Sequence, residues 1–197
     1  MNKSTVFGAL IACSTAAAVQ AQDFSDISVG VGLTSFGYSL QGEYEIQPNI
    51  GVRAMIMGAP GLSDTYEEDN FTADGTLDLG GFAVLADYYP LSNAWRLSAG
   101  LFLSNTELSG TFEDEGTVYE GKVAFENDIA PMITTGFKYP FGSGWAFSGD
   151  VGVIVSSLEI SSDTTDQDAI DSIAEANADL SDVPVFPYIG FAVSYSY

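Results

Sequence analysis

The chain closes on Pro187-Tyr188-Ile189-Gly190-Phe191-Ala192-Val193-Ser194-Tyr195-Ser196-Tyr197, and the period of this stretch decides the fold. Pro187, Ile189, Phe191, Val193, Tyr195 and Tyr197 fall on one face, and Tyr188, Gly190, Ala192, Ser194 and Ser196 on the other. That is the alternation of a β-strand whose faces meet different media, one greasy and one small or polar. A soluble barrel would turn the greasy face inward. Aromatic rings at the last residue and two before it suit a strand whose greasy face meets lipid and whose end lies at the membrane interface.

Working back from this strand, alternation and turn signals divide the chain into eight strands. The first spans Asp26 to Thr34, the second Phe36 to Ile46, and the third follows Gln47-Pro48-Asn49 from Ile50 to Ala59. An acidic loop, Pro60 to Ala73, precedes a fourth strand over roughly Asp74 to Tyr89. In the fifth, Trp95, Leu97, Ala99, Leu101 and Leu103 alternate with Arg96, Ser98, Gly100, Phe102 and Ser104. The fifth and sixth are predicted to continue beyond a membrane as a hairpin around Glu113-Asp114-Glu115-Gly116, because Thr117-Val118-Tyr119 and Val123-Ala124-Phe125 keep strand chemistry. The sixth reaches Tyr139, the seventh runs from Trp145 to Leu158, and Glu159 to Pro184 is the longest interruption. Connections after strands two, four and six are tight, whereas those after three, five and seven are long and acidic. The predicted fold is therefore all-β: an eight-stranded antiparallel up-and-down transmembrane barrel closed by strand one on strand eight, which leaves no open edge.

The N-terminus reads as a signal peptide over residues 1–21: Lys3, an apolar run from Val6 to Ala12, and small residues before a processing site at Ala21. The competing reading is a lipoprotein box at Leu10-Ile11-Ala12-Cys13. Residues 22–197 then form one barrel domain with no cysteine, placed in the outer membrane after secretion across the inner one. No later window holds the eighteen or so apolar residues of a membrane helix, so any span is made of strands. The net charge of −22 speaks against nucleic acid or anionic lipid surfaces as partners.

Hairpin pairing gives a register. Around Pro48, Tyr44 faces Val52 on the lipid side and Glu43 faces Arg53 on the lumen side. In the next tight hairpin Tyr88 is set against Trp95 and Asp87 against Arg96; in the third, Tyr139 against Trp145 and Phe137 against Phe147, leaving Lys138 inward with Asp150 further up the neighbouring strand. A charge on a lipid face costs ~2–4 kcal/mol at the bilayer midplane, so Glu43, Arg53, Asp87, Arg96, Lys138 and Asp150 are expected as a lumen ion network that blocks ion flow.

With these residues in place the chain resembles the small eight-stranded outer-membrane barrels of Gram-negative bacteria, of the OmpA, OmpX and OmpW kind. It is more closely similar to a set of uncharacterised outer-membrane proteins. The resemblance rests on Ile50-Gly51-Val52-Arg53-Ala54, on Ala86-Asp87-Tyr88-Tyr89-Pro90 with Trp95-Arg96-Leu97-Ser98-Ala99-Gly100, on Ala130-Pro131, on Gly144 to Val153, and on the last strand. It implies contact with outer-membrane lipid and lipopolysaccharide, and reading of the C-terminal strand by the barrel-assembly machinery, although Tyr197 stands where such barrels usually end in Phe.

The chemistry narrows further by what is missing. The chain has no histidine, and its single cysteine lies in the expected signal peptide, so nucleophilic acyl transfer lacks its usual base and its best alternative nucleophile; no catalytic residue, cofactor or metal site is assigned. Asp163, Asp166 and Asp168 lack the glycine and closing Glu of an EF-hand, and read as a solvated acidic loop. The acidic loops, with Asp64, Glu67, Glu68, Asp69, Glu113, Asp114 and Glu115, could recruit divalent cations loosely; a plain solvated surface is the simpler reading. In the long last loop, Thr164 or Thr165 is placed to cap a helix from Asp166 to about Leu180, read either as a lid over the outer mouth or as an acidic loop.

The lumen face divides by height. Met55, Met57, Leu79, Phe102, Met132, Ile154, Phe186 and Tyr188 fall in the outer half, above the charges. They form either an apolar cup for a small hydrophobic ligand, as the OmpW likeness implies, or plain filling of a narrow barrel. Alternatives are a soluble periplasmic barrel of lipocalin type and a barrel whose loops serve surface adhesion or envelope anchoring.

Overall fold

The computed structural model describes residues 27–68, 71–91, 94–114, 117–164, 166–182 and 184–197. The expected signal peptide and Cys13, and Asp26, Asp69, Ser92, Asn93, Glu115, Gly116 and Thr165, lie outside the described residues, as do the side chains of Glu67, Glu68, Glu113, Asp114 and Asp168.

Alternation of apolar and small or polar residues produces strands almost throughout. In chain order they are β1 (Ile27–Thr34), β2 (Gly37–Gln47), β3 (Ile50–Gly58), β4 (Leu62–Glu68), β5 (Phe71–Asp78), β6 (Gly80–Tyr88) and β7 (Trp95–Ser104). There follow β8 (Glu107–Asp114), β9 (Thr117–Phe125), β10 (Ile129–Pro140), β11 (Trp145–Ile154) and β12 (Leu158–Ser162), then helix α1 (Gln167–Ser181) and β13 (Phe186–Ser196). Eight strands close a barrel in the order β1-β13-β11-β10-β7-β6-β3-β2, every neighbouring pair antiparallel. The two faces separate as the alternation requires: Val31, Leu40, Ile56, Leu101, Ile133 and Phe191 are exposed on the wall, while Ser39, Met55, Phe102 and Met132 are buried inside.

The eight-strand division of the sequence needs revision in two places. The expected seventh strand, Trp145 to Leu158, ends at Ile154, and Leu158–Ser162 is a separate strand, β12, that pairs with β9. The stretch expected as the acidic loop Pro60 to Ala73 is largely a hairpin, β4 with β5, and the expected fourth strand is broken at Leu79. With β8, β9 and β12 these make a second, five-stranded sheet in the order β12-β9-β8-β5-β4 that prolongs one side of the barrel at its long-connection end. Acids and hydroxyls at Asp64, Thr65, Asp74 and Thr76 obscured the apolar period there, although cross-strand contacts such as Ser63 Oγ to Thr76 Oγ1 at 3.2 Å stitch the hairpin together.

Register matches the expectation at the β2–β3 hairpin, where Tyr44 pairs with Val52 and Glu43 with Arg53. Two other hairpins differ by two residues. Tyr88 pairs with Leu97 rather than Trp95, and Asp87 with Ser98 rather than Arg96. Tyr139 pairs with Phe147 rather than Trp145, and Phe137 with Gly149 rather than Phe147. At the second of these the turn is the cause: the Phe141 N–H closes on the Trp145 carbonyl at 2.8 Å, across a turn in which Gly142 and Gly144 take φ of 75° and 79°. A slip of two preserves every face, so alternation alone cannot detect it.

Helix α1 occupies nearly the expected span. Its N-cap is Asp166, whose Oδ1 accepts the Ala169 N–H at 3.2 Å; Thr164 acts one step earlier, accepting the Asp166 N–H. The helix lies along β12. The Asn177 side chain accepts the Ile160 N–H at 2.7 Å and donates to the Ile160 carbonyl at 2.8 Å, satisfying the strand edge as a neighbouring strand would.

Candidate functional site

The lumen collects the buried polar residues, and they sort by height as their places on the strands dictate. At the tight-turn end stand three cations, Arg53 on β3, Arg96 on β7 and Lys138 on β10, and three carboxylates, Glu43 on β2, Asp87 on β6 and Asp150 on β11. Asp150 is the hub. Arg96 grips it with two bonds, Nε to Oδ1 at 3.1 Å and Nη2 to Oδ2 at 2.6 Å, while Arg53 Nη1 donates to Oδ2 at 2.9 Å. Arg53 also lies 3.0 Å from Asp87 through Nε and donates through Nη2 to Ser98 Oγ at 3.3 Å. Both guanidinium groups are buried, at 1% and 0% exposure, so the bonds to Asp87 and Asp150 are what offset their desolvation.

The network is wired differently from its hairpin register. Glu43 sits opposite Arg53 on the neighbouring strand, yet its carboxylate accepts Lys138 Nζ at 2.9 Å and the Tyr89 hydroxyl at 3.1 Å. Lys138, expected near Asp150, instead reaches across the barrel to Glu43 and donates to Ser28 Oγ at 3.3 Å. Asp87 and Arg96, two places out of register, still approach to 3.7 Å. Tyr89, just past β6, was not singled out from the sequence; burial, aided by the Glu43 carboxylate, raises its phenol above the ordinary value and keeps it a donor.

Above the charges the lumen is filled. Met55, Met57, Phe102, Met132, Ile154 and Tyr188 are buried in one cluster, with Phe186 packed against it; Leu79, in the link between β5 and β6, stands outside it. Two rings that the sequence reading placed elsewhere complete the packing. Phe36, at the turn between β1 and β2, and Phe125, at the end of β9, both join the cluster. Phe36 is set by a tight turn in which its N–H donates to Thr34 Oγ1 at 3.1 Å. Its ring centroid is 4.9 Å from that of Phe102 and 5.5 Å from that of Phe186, and Phe125 lies 5.3 Å from Phe186. Neither Phe36 nor Phe125 carried a helpful period, because each sits at a strand end.

A void lined by Ser39, Gln41, Asp150 and Tyr188 and by Gly190 to Ala192 of β13 measures about 10 Å³. One water needs ~10–15 Å³, so this space holds at most a single water. A larger recess of about 310 Å³, with Glu43, Tyr89, Lys138 and Pro140 among its walls, opens at the tight-turn end, beneath the ion layer.

No family model matches the chain, and no curated protein matches it in sequence. In fold it is similar to solved structures. The crystal structure of Acinetobacter baumannii CarO aligns with a TM-score of 0.61 at 17% identity, covering 88% of this chain and 98% of that one. The crystal structure of Acinetobacter baumannii CarO2 aligns with a TM-score of 0.60 at 19% identity, covering 87% of this chain and 97% of that one. Closed barrel, short helix and alignment together make the chain a small eight-stranded antiparallel barrel of the type these structures share.

Proposed function

We propose that the chain is an outer-membrane barrel with a sealed lumen, whose work is done by its outer surfaces rather than by passage through its centre. The membrane placement is supported by the exposed apolar wall and by the belt of Tyr88, Trp95, Tyr139, Trp145 and Tyr195 near the tight-turn end, on a barrel fold like that of the CarO structures. The seal is supported by one observation: a phenylalanine-capped apolar cluster and a charge-balanced ion layer are both buried, at successive heights of the lumen.

In this reading the tight turns face the periplasm, and the five-stranded sheet and α1 stand outside in water. The acidic sheet and loops form an adhesive or envelope-anchoring surface, β13 with Tyr197 is read by the barrel-assembly machinery, and lipopolysaccharide surrounds the upper wall. Uptake of a small hydrophobic ligand through the Met55–Met132 layer would require the four phenylalanine rings to move aside, so that role is subordinate here. A direct test is fractionation with semi-native electrophoresis. The protein is expected in the outer-membrane fraction, as a band whose mobility shifts only on boiling; recovery in the soluble periplasm without detergent would refute the placement.

A further inference from the structure

Five of the eight barrel strands continue into the five-stranded sheet: β3 into β4, β6 out of β5, β7 into β8, β10 out of β9 and β11 into β12. The other three, β13, β1 and β2, do not, so the raised wall has a gap that begins at β4 and stands above the β1–β2 turn. β4 ends the strand order, and among the described residues no strand pairs with its outer side. The Thr65 N–H donates to its neighbour's side chain, Asp64 Oδ1 at 3.0 Å, and so stands on the side away from β5. An antiparallel ladder alternates, which turns the backbone groups of Ser63 and Glu67 into the gap as well. Such an edge is a template for one more strand.

Two features of the gap fix the chemistry of that strand. First, a row of apolar side chains crosses the sheet in register, Leu62 with Leu77, Leu108, Val123 and Ile160. It continues the lumen face, since Phe125 and Leu158, two places along β9 and β12, pack on the buried cluster. The row runs out at the gap, where Leu62 is 61% exposed. Second, the edge is acidic: Asp64 stands next to Leu62 on the same face, the sequence goes on to Glu67, Glu68 and Asp69, and the chain carries a net charge of −22. A second copy in the same membrane fails on this account, because an axis along the membrane normal would set β4 beside its own image running the same way, with Asp64 against Asp64. We propose that the open edge of β4 receives an extended basic peptide of a partner protein as a sixth strand, main chain to main chain, with an apolar side chain beside Leu62 and a basic one beside Asp64. The inference rests on reading the sheet as an adhesive surface and names the partner of that surface.

The test uses the folded, full-length protein in a neutral detergent and a short probe peptide in which lysine alternates with valine and threonine. A twin probe carries an N-methyl group on every backbone nitrogen, which keeps charge and side chains and removes the ladder. The parent probe is expected to bind at least tenfold more tightly than its twin and to slow amide exchange along β4 at least fivefold, leaving the Ile160 amide on the opposite edge unchanged. Thr65→Pro removes one edge donor without taking a backbone bond from β5, and should weaken binding at least tenfold with heat-modifiable mobility retained. If that variant does not fold, Leu62→Ala, expected to weaken binding about threefold, takes its place. Equal binding of the twin probes means attraction by charge alone and overturns the proposal, as does an unprotected β4 or a variant that binds like wild type. Protection of β4 that rises with protein concentration in the absence of probe also overturns it and gives the edge to a second copy. A sheet closed to protease added to intact cells would instead refute the outward placement on which the adhesive reading stands.

Discussion

Asp150 carries more of the lumen than any other single residue, because both buried arginines end on it. Removing one partner of such a group leaves an uncompensated buried charge, which typically costs ~3–5 kcal/mol, whereas removing both sides together costs less. Asp150→Leu is therefore expected to destabilise strongly, and Arg96→Leu combined with Asp150→Leu to destabilise by clearly less than the sum of the two single changes. Urea unfolding in lipid vesicles checks this; strict additivity would mean that the pair contributes no coupling. Lys138, partly open to the tight-turn recess, has water as an alternative partner, so Glu43→Gln should cost less than Asp150→Leu in the same assay. At this scale the sequence was informative about which side chains face inward and uninformative about their partners. Arg53 meets Asp150 across 97 positions of chain, and Lys138 meets Glu43 across 95, because the strands concerned stand opposite each other in the barrel. No local pattern encodes a contact across a lumen.

One edge of the five-stranded sheet is met by the helix. On β12 the edge is met by Asn177 of α1, which takes both backbone groups of Ile160. Asn177→Ala should release the helix without disturbing the barrel: hydrogen exchange at the Ile160 amide is expected to rise at least tenfold, and limited proteolysis to cut first between residues 163 and 184. Unchanged exchange at Ile160 would mean that other contacts hold α1. The helix was legible in the sequence, with Thr164 or Thr165 placed to cap a span to about Leu180, but its attachment to β12 was not, since no local pattern marks an Asn177 side chain that pairs with a strand edge. The β4–β5 hairpin was missed for a related reason. None of its described side chains, Leu62 to Thr65 and Asp74 to Asp78, is buried, and among acids and hydroxyls the period of two loses its hydrophobic contrast.

Over the whole molecule, alternation showed itself wherever a strand divides two media, and the closed eight-stranded barrel followed from that. Hidden from it were shifts of two in register and the rings at strand ends, Phe36 and Phe125, that turn an apolar half-lumen into a packed one. Those rings pack the apolar half of the lumen, and the sealed barrel proposed above rests on them. Single-channel recording in planar bilayers tests this most directly, using the folded wild type beside a variant carrying Phe36→Gly, Arg53→Gly and Arg96→Gly together. The wild type is expected to give no stable conductance steps, and the variant, having lost a ring from the cap and both guanidinium groups from the ion layer, to give discrete ones. Large, stable channels from the wild type would contradict a sealed lumen.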